Sequence, residues 1–258
     1  MSSSSSSPPS SPSPLSTSEF IRRRSASMAW EASPSATVER KRLELDGPKE
    51  AGRVTSVVRY LANSDFNEHP HPDGEEILVV DGVFSDDSGD FPRGTYILNP
   101  EGYSHAPRSK DGCVLFVKLR QYPGLNRRQI RINSYDPETW QSAPDPSLSA
   151  QGNVRQCPLY RPLPGDTSQE TMDLLELEEG ASLTIPVQPA GLELFVLPGA
   201  ATTTGSSNPV LTASGLDPFL EGDWLKMLET KTPLSLRAMT RVKLYVKANH
   251  LGSVAPSG

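Results

Sequence analysis

The sequence predicts an all-β protein made of two copies of one unit behind a disordered N-terminal tail. Between residues 38 and 125, short apolar and β-branched segments alternate with turns rich in Gly, Pro, Asn and Asp. No segment carries the apolar repeat of 3.6 residues that a long amphipathic helix needs. An internal repeat extends the same pattern to the C-terminal half, and a Ser/Pro-rich start sets the tail apart.

The composition excludes several classes of protein. The chain has 258 residues and a net charge of −6, so it presents no basic field that would favour nucleic acid. No apolar run reaches the roughly 18 residues of a membrane span. Cys113 and Cys157 are the only cysteines, which argues against a disulfide framework and for a reducing compartment. We therefore expect a cytoplasmic protein that binds neither nucleic acid nor membranes.

Residues 1–37 form the predicted tail. Residues 2–17 are almost all Ser and Pro, and such a segment buries too little apolar surface to offset its ordering entropy. The stretch from Phe20 to Met28 is rich in Arg and Ser and poor in acidic residues, which is typical of organelle transit peptides. Two interpretations stay open, an untargeted tail or a segment that directs the protein to a plastid or mitochondrion.

Behind the tail we expect a first domain at 38–125, a connector at 126–170 and a second domain at 171–252. The connector is locally basic, and its Pro/Ser-rich part from Ser142 to Gly152 is typical of a loop. The second domain repeats the first after a shift of 117 positions and an insertion at 200–207. The matched positions are Gly74 with Gly191, Glu76 with Glu193, residues 77–80 with 194–197, Gly82 with Gly199, residues 94–96 with 222–224, and residues 115–118 with 244–247.

His69, His71, Glu75 and His105 are the candidate ligands of a metal ion. His69 and His71 are two residues apart, so on a strand both imidazoles face the same side. Residues 72–74 form a turn, so Glu75 can lie on the next strand at the level of the two histidines. His105 is the candidate fourth ligand. Imidazole nitrogens with one carboxylate suit Zn, Fe(II), Mn(II) or Ni(II). The alternative is a polar pocket without a metal, although three buried histidines without a ligand are costly.

The second copy lacks these ligands. The equivalent positions are Pro186 for His69, Gln188 for His71, Leu192 for Glu75 and Pro233 for His105. We therefore expect one divalent metal per chain, bound in the N-terminal domain.

Four other residues have less specific patterns. Glu76 must face away from Glu75 on a strand, and its match to Glu193 favours a structural role. We expect Tyr96 in the core and Cys113 as a buried thiol, although a pocket role for the first and a redox or ligand role for the second stay open. His250 has no partner at a metal-ligand spacing, and we expect it to be structural or exposed.

These residues resemble the two sequence motifs of the cupin superfamily. The first motif is matched by His69, His71, Glu75 and Gly82, and the second by Gly94, Pro100, Gly102 and His105. Within the superfamily, residues 38–252 are similar to the ChrR-type cupin-like group, most closely at 71–79, 90–96, 112–118 and 247–251.

The resemblance implies a double-stranded β-helix, or jelly roll, in each half, with the two barrels packed as a bicupin and a metal in the first. The ChrR-type group includes the zinc-binding sensory half of bacterial anti-sigma factors. It also resembles small non-haem iron dioxygenases that cleave diketones or aryl ketones. Residues 1–40 contain no His or Cys, which argues against the helical zinc-binding domain of the anti-sigma factors.

Two functions therefore remain open. The first is a metal-binding bicupin that senses or binds a small ligand, with zinc as the first choice of metal and Fe, Mn or Ni as alternatives. The second is a non-haem Fe(II) dioxygenase that cleaves a small β-dicarbonyl or aryl ketone. Glu75 favours the first, because the resembling diketone dioxygenases use histidines alone whereas the zinc sensors keep the glutamate. A small-molecule ligand or substrate is the expected partner, and homodimerisation stays open.

Overall fold

The computed structural model describes residues 20–125, 127–142, 144–166, 168–199 and 208–251. These residues form antiparallel strands and two 3₁₀ helices, Ser25–Ser27 and Pro137–Thr139, so the predicted all-β fold is confirmed. Within these ranges there is no helix with the length and apolar character needed to cross a membrane. The Ser/Pro-rich start and the insertion at 200–207 lie outside the described residues.

The strands before residue 126 are β1 (Phe20–Arg24), β2 (Glu31–Ala32), β3 (Val38–Asp46), β4 (Arg53–Tyr60), β5 (Ser64–Asp65), β6 (His69–Pro70), β7 (Glu75–Asp86), β8 (Gly89–Pro92), β9 (Thr95–Asn99), β10 (Ser104–His105), β11 (Arg108–Ser109) and β12 (Cys113–Leu119). The strands after it are β13 (Ile130–Asn133), β14 (Ser149–Gln151), β15 (Val154–Tyr160), β16 (Thr171–Leu177), β17 (Ser182–Ile185), β18 (Leu192–Val196), β19 (Leu211–Ala213), β20 (Leu216–Phe219), β21 (Asp223–Met227), β22 (Leu234–Ala238) and β23 (Val242–Ala248).

The first barrel is built around β7, whose apolar run is covered on both faces. Its main sheet has the order β13-β9-β7-β12-β4-β3-β2, and β5, β8, β11 and the pair β6–β10 complete the wall. Ile77 and Val79 pack into the core inside this barrel. Leu78 and Val80, which point the other way on the strand, pack into a second core that both barrels share. A strand buried on both faces reads as a continuous apolar run, as residues 77–80 do.

The second barrel is built in the same way around β18. One sheet has the order β1-β21-β18-β23-β16-β15, and the other has the order β14-β17-β22-β19-β20. Leu192, Leu194 and Val196 fill the interior, and Phe195 points into the core that both barrels share.

The internal repeat holds at the level of strand register. In the first barrel Glu76 pairs with Lys118 on β12 and Leu78 with Tyr96 on β9. In the second, the repeat counterpart Glu193 pairs with Lys247 on β23, and Phe195 pairs with Trp224 on β21. Equivalent residues therefore face each other in both barrels, as the sequence alignment predicts.

The two barrels exchange a strand. β1 precedes the first barrel in the chain but pairs with β21 of the second, and β13 precedes the second barrel but pairs with β9 of the first. The predicted tail boundary at residue 37 therefore needs correction, because residues 20–24 already form a strand of the second barrel. Phe20 packs on the core of the second barrel, and Arg22 and Arg24 both bind the buried carboxylate of Asp223.

The predicted connector at 126–170 also contains strands of both barrels. β13 belongs to the first sheet, whereas β14 and β15 belong to the second barrel, which therefore begins before residue 171. Pro158 and the polar residues of β15 interrupt the apolar pattern by which a strand is recognised in the sequence. The strand accommodates the proline because it lies at the edge of its sheet, with a register shift between Pro158 and Tyr160.

Two reciprocal ion pairs cross the interface between the barrels. Lys118 of the first barrel donates to both carboxylate oxygens of Glu193 in the second, at 2.7 and 2.6 Å. Lys247 of the second barrel donates to Glu76 of the first at 2.9 Å. All four side chains are buried. Although burial alone would raise it, the charge of Lys118 holds the pKa of Glu193 well below its usual range.

Aromatic side chains surround these ion pairs. Tyr96 donates to Glu76 at 3.0 Å, and its counterpart Trp224 donates to Glu193 at 2.6 Å. The rings of Phe116 and Phe195 stack across the interface with 4.5 Å between their centroids. Tyr96 is thus a core residue and Glu76 a structural one, as predicted.

We expect Lys118→Met to lower the free energy of unfolding by about 3–5 kcal/mol, because it leaves the Glu193 carboxylate buried without its cation. Urea unfolding of wild type and variant measures this difference. Lys231→Met is the matched control, since Lys231 is 72% exposed where it pairs with Glu229, and its loss should change stability by less than about 1 kcal/mol. Equal effects of the two substitutions would contradict a structural role for the buried pair.

Candidate functional site

The histidines predicted as metal ligands lie together at one end of the first barrel. β6 and β10 are antiparallel, and His69 lies directly opposite His105. His71 follows β6, where its backbone N–H donates to the carbonyl oxygen of Tyr103 at 2.9 Å. Two short strands therefore bring residues that are far apart in sequence onto one wall.

A tight turn brings Glu75 to the same place. The turn uses left-handed backbone at Asp73 and Gly74, with φ values of 58° and 76°. A Cβ at Gly74 would come within 2.7 Å of the carbonyl oxygen of Tyr122, so this position requires glycine. Glu75 then begins β7, as the turn residues in the sequence predict.

The ring nitrogens of His69, His71 and His105 converge. One ligand atom from each ring lies within 4.8 Å of the others, and Nε2 of His71 is 3.0 Å from Nε2 of His105. His71 and His105 are buried, whereas His69 is half-buried. Three imidazoles in this arrangement could hold a metal ion.

The Glu75 carboxylate lies against two of the three rings. Its oxygens are 3.6 Å from Nδ1 of His71 and 3.4 Å from Nε2 of His105. Asn99 donates to Glu75 Oε2 at 3.2 Å and so fixes the carboxylate in place. The structure therefore brings the four predicted side chains together, with the closest grouping among the three histidines. Coordination by Glu75 stays a prediction.

Asp86 orients His105 from behind, and sequence reasoning missed it. The Nδ1 N–H of His105 donates to Asp86 Oδ2 at 3.0 Å, which leaves Nε2 directed at the other histidines. Asp86 is fully buried at the end of β7 and also accepts the backbone N–H of Ser88 at 2.7 Å. In the sequence it is one of several acidic residues in a polar turn, with no signal that distinguishes it.

The protonation of the histidines follows from their surroundings. Burial lowers the pKa of His71. Burial also disfavours the charged form of His105, but the hydrogen bond to Asp86 and the charges of Glu75 and Asp86 outweigh it and raise the pKa of His105. His69 donates from Nδ1 to the carbonyl oxygen of Asn67 at 2.9 Å, which leaves its Nε2 free as a ligand atom.

His69 and Tyr103 are the two half-buried side chains of this site. The Tyr103 ring lies 5.6 Å from the His105 ring, measured between centroids, and Tyr103 is half-buried. A small molecule could approach the histidines from this side.

The remaining candidates lie away from the site. Cys113 packs in the core inside the first barrel, where burial raises the pKa of its thiol to about 11. His250 is buried at the barrel interface with Nε2 3.3 Å from Glu193, so it has a structural role.

The second barrel has lost the site at several equivalent positions. Ile185 of β17 pairs with Leu234 of β22, so the adjoining Pro186 and Pro233 correspond to the opposed His69 and His105. Leu192 pairs with Met227 where Glu75 pairs with Asn99. In the part of the chain that the structure describes, His69, His71 and His105 are the one group of three such side chains able to hold a metal.

Comparisons with known proteins support the fold described above, two barrels of antiparallel strands. Residues 18–123 match the family model of the ChrR cupin-like domain, a match that begins well before residue 38. No curated protein matches the sequence.

Several solved structures share the fold at low sequence identity. A candidate dioxygenase from Nostoc punctiforme has a TM-score of 0.66 at 13% identity, over 93% of this chain and 86% of that one. The bacterial pirin YhhW from Escherichia coli, solved with nickel(II), has a TM-score of 0.62 at 13% identity, over 89% and 98% of the two chains. Salicylate 1,2-dioxygenase from Pseudoaminobacter salicylatoxidans has a TM-score of 0.50 at 12% identity, over 76% and 71%.

We expect Asp86→Asn to lower the pKa of His105, because the variant removes the charge and the ionic hydrogen bond that raise it while burial remains. NMR titration of the histidine ring protons in metal-free protein measures the change. A raised pKa in the folded state means that protonated His105 stabilises the metal-free protein at low pH, and this contribution is lost as the pH rises through that pKa.

The variant should therefore also lose this low-pH stabilisation. Asp111→Asn, at an exposed position before β12, is the control and should leave the His105 titration unchanged. An unchanged His105 pKa in Asp86→Asn would contradict the role given to this carboxylate.

Proposed function

We propose that this chain, a member of the cupin superfamily, binds one divalent metal in its N-terminal barrel and uses it to bind or sense a small ligand. His69, His71 and His105 would hold the metal, with Glu75 as the fourth ligand. The C-terminal barrel would act as a scaffold that supports the first through the shared core.

The observation that carries the proposal is the convergence of three imidazoles on one point. Their ligand atoms lie within 4.8 Å of one another, and the Glu75 carboxylate lies 3.4 Å from one ring nitrogen and 3.6 Å from another. Grouping buried histidines in this way without a ligand is costly. The corresponding positions of the second barrel carry two prolines, a glutamine and a leucine, as expected where no metal is bound.

The surrounding residues suit a metal site because they fix the ligands. Asp86 and the carbonyl oxygen of Asn67 each accept a ring N–H, at 3.0 and 2.9 Å, so that the remaining nitrogens of His105 and His69 are directed inward. Asn99 holds Glu75. A bound divalent metal would supply a Lewis-acid centre with positions left for an oxygen ligand.

The metal is not determined by these ligands. Three imidazoles with one carboxylate suit Zn, Fe(II), Mn(II) or Ni(II), and the pirin that shares this fold was solved with nickel(II). We propose zinc first, because Glu75 lies with the histidines and the resembling zinc sensors keep this glutamate.

A second candidate function is O₂-dependent cleavage of a small β-dicarbonyl or aryl ketone with Fe(II). His69 is half-buried, so a small molecule could reach it from solvent, as an enzyme of this kind requires. Proteins that share the fold include a candidate dioxygenase and a salicylate 1,2-dioxygenase. The fold alone does not carry the activity to this chain.

We expect wild-type protein, purified without added metal, to contain about one metal ion per chain, and His71→Ala to lose it. Plasma mass spectrometry measures the metal content. Gln188→Ala is the matched control, because Gln188 is the repeat counterpart of His71 in the second barrel and its variant should keep the metal.

The identity of the metal separates the two functions. Zinc that is lost in His71→Ala favours binding or sensing. Iron favours the dioxygenase, and oxygen uptake with a panel of diketones and aryl ketones would then test it. Wild type without metal, even after reconstitution, would overturn the proposed centre.

A further inference from the structure

The strand exchange places Arg131 inside the first barrel. Arg131 lies on β13 opposite Ile97 of β9, and Ile97 packs in the core inside the barrel. Directly opposed residues of an antiparallel pair project to the same face. The connector between the barrels therefore places the guanidinium group of Arg131 on the inner wall of the first barrel.

The second barrel carries a counterpart, Arg22, on the exchanged strand β1. Arg22 lies opposite Leu225 of β21, which packs inside the second barrel. Both guanidinium groups lie over a phenylalanine ring, Arg131 over Phe91 at 5.5 Å and Arg22 over Phe219 at 4.0 Å. The two arginines therefore occupy equivalent positions.

The two arginines differ in whether a carboxylate balances their charge. Arg22 donates to the fully buried carboxylate of Asp223 at 2.6 Å. In the first barrel the equivalent of Asp223 is Thr95, since Asp223 pairs with Arg24 and Thr95 with Asn133, each two residues after the arginine. The Thr95 hydroxyl is buried and has no hydrogen-bond partner. The second barrel thus neutralises its arginine internally, and the first does not.

No carboxylate among the described residues forms an ion pair with Arg131. Its side chain donates to the Asn99 amide oxygen at 2.8 Å and to the carbonyl oxygen of Ile130 at 3.0 Å. Burial lowers the pKa of the guanidinium, and Tyr103 and Asp86 oppose this shift. A half-buried cation without a carboxylate in direct contact is unfavourable unless an anion joins it.

Arg131 borders the candidate metal site. The amide of Asn99 accepts from Arg131 on one side and donates to Glu75 Oε2 at 3.2 Å on the other. The guanidinium carbon is 5.7 Å from the centre of the half-buried Tyr103 ring, which lies beside His105. A molecule bound at the histidines would therefore lie within reach of this cation.

We propose that Arg131 is the anion-recognition residue of the first barrel and that the site takes a small monocarboxylate with a second oxygen donor. The inference rests on the proposed function, since the oxygen donor would bind the metal. With a divalent metal bound, the charges of Glu75 and Asp86 balance the metal, and the guanidinium charge is left over. Arg120, which also acts on His71, already pairs with Asp73 at 3.6 Å.

The test compares two probes of nearly the same shape, acetoacetate and pentane-2,4-dione, which differ in one carboxylate. Each is titrated into Co(II)-loaded protein, and the change in the visible absorption of Co(II) reports binding. Wild type should bind acetoacetate about tenfold more tightly, the effect of one partly exposed charge-assisted contact. Arg131→Gln should remove this preference, so that the ratio of the two affinities falls to about one.

A second pair of variants copies the difference between the barrels. Thr95→Asp supplies the carboxylate that Arg22 has in the second barrel, so it should remove the preference although Arg131 is still present. Thr95→Asn adds similar volume without charge and should keep the preference. Equal affinity of wild type for both probes, or a preference that survives Arg131→Gln, would overturn the inference. An equal loss of both affinities in Arg131→Gln would also overturn it, because the preference would survive and Arg131 would be a positioning residue for Asn99 and Glu75.

Failure of the metal centre is distinguishable from failure of this inference. If wild type binds no Co(II), the proposed metal site is wrong. Saturation-transfer NMR of acetoacetate with metal-free protein then tests whether Arg131 binds the anion without a metal. A signal in wild type that disappears in Arg131→Gln supports the anion site by itself. No signal in wild type overturns it.

Discussion

The reciprocal ion pairs of Lys118 with Glu193 and of Lys247 with Glu76 tie the two barrels into one structure. All four charges are buried, and each barrel supplies one cation and one anion to the other. A barrel without its partner would expose these groups together with an aromatic face that contains Phe116 or Phe195. The apolar run of β7 is covered on both faces for the same reason, since one face belongs to the barrel interior and the other to the shared core.

The same scaffold supports different interiors in the two halves. The register of the three central strands is the same, but the second barrel has Pro186 and Pro233 where the first has His69 and His105. The substitutions extend to the supporting residues, since Asn99 and Thr95 correspond to Met227 and Asp223. The second barrel is packed with aliphatic side chains, and its arginine is neutralised internally. The differences concern the whole site rather than single ligands.

The sequence predicts those features that depend on local spacing. The i, i+2 histidines, the Pro-Asp-Gly turn and the internal repeat predict the all-β fold, the barrel register and the grouping of His69, His71 and His105. Features that depend on partners distant in sequence could not be predicted. The exchanged strands are short, and β1 has three arginines while β13 follows Arg127 and Arg128, so they resemble a targeting segment and a basic connector. Asp86 and Arg131 have no local signal, because their roles come from His105 and from the missing counterpart of Asp223.

The strand exchange also determines how the inner wall of the first barrel is assembled. In a pair of separate chains, a wall that needs a strand from the partner would form only at concentrations that sustain the dimer. Here the connector carries both barrels on one chain and delivers β13 within that chain, at an effective concentration set by the linkage rather than by the amount of protein. Arg131 and the support that it gives to Asn99 should therefore persist at any dilution.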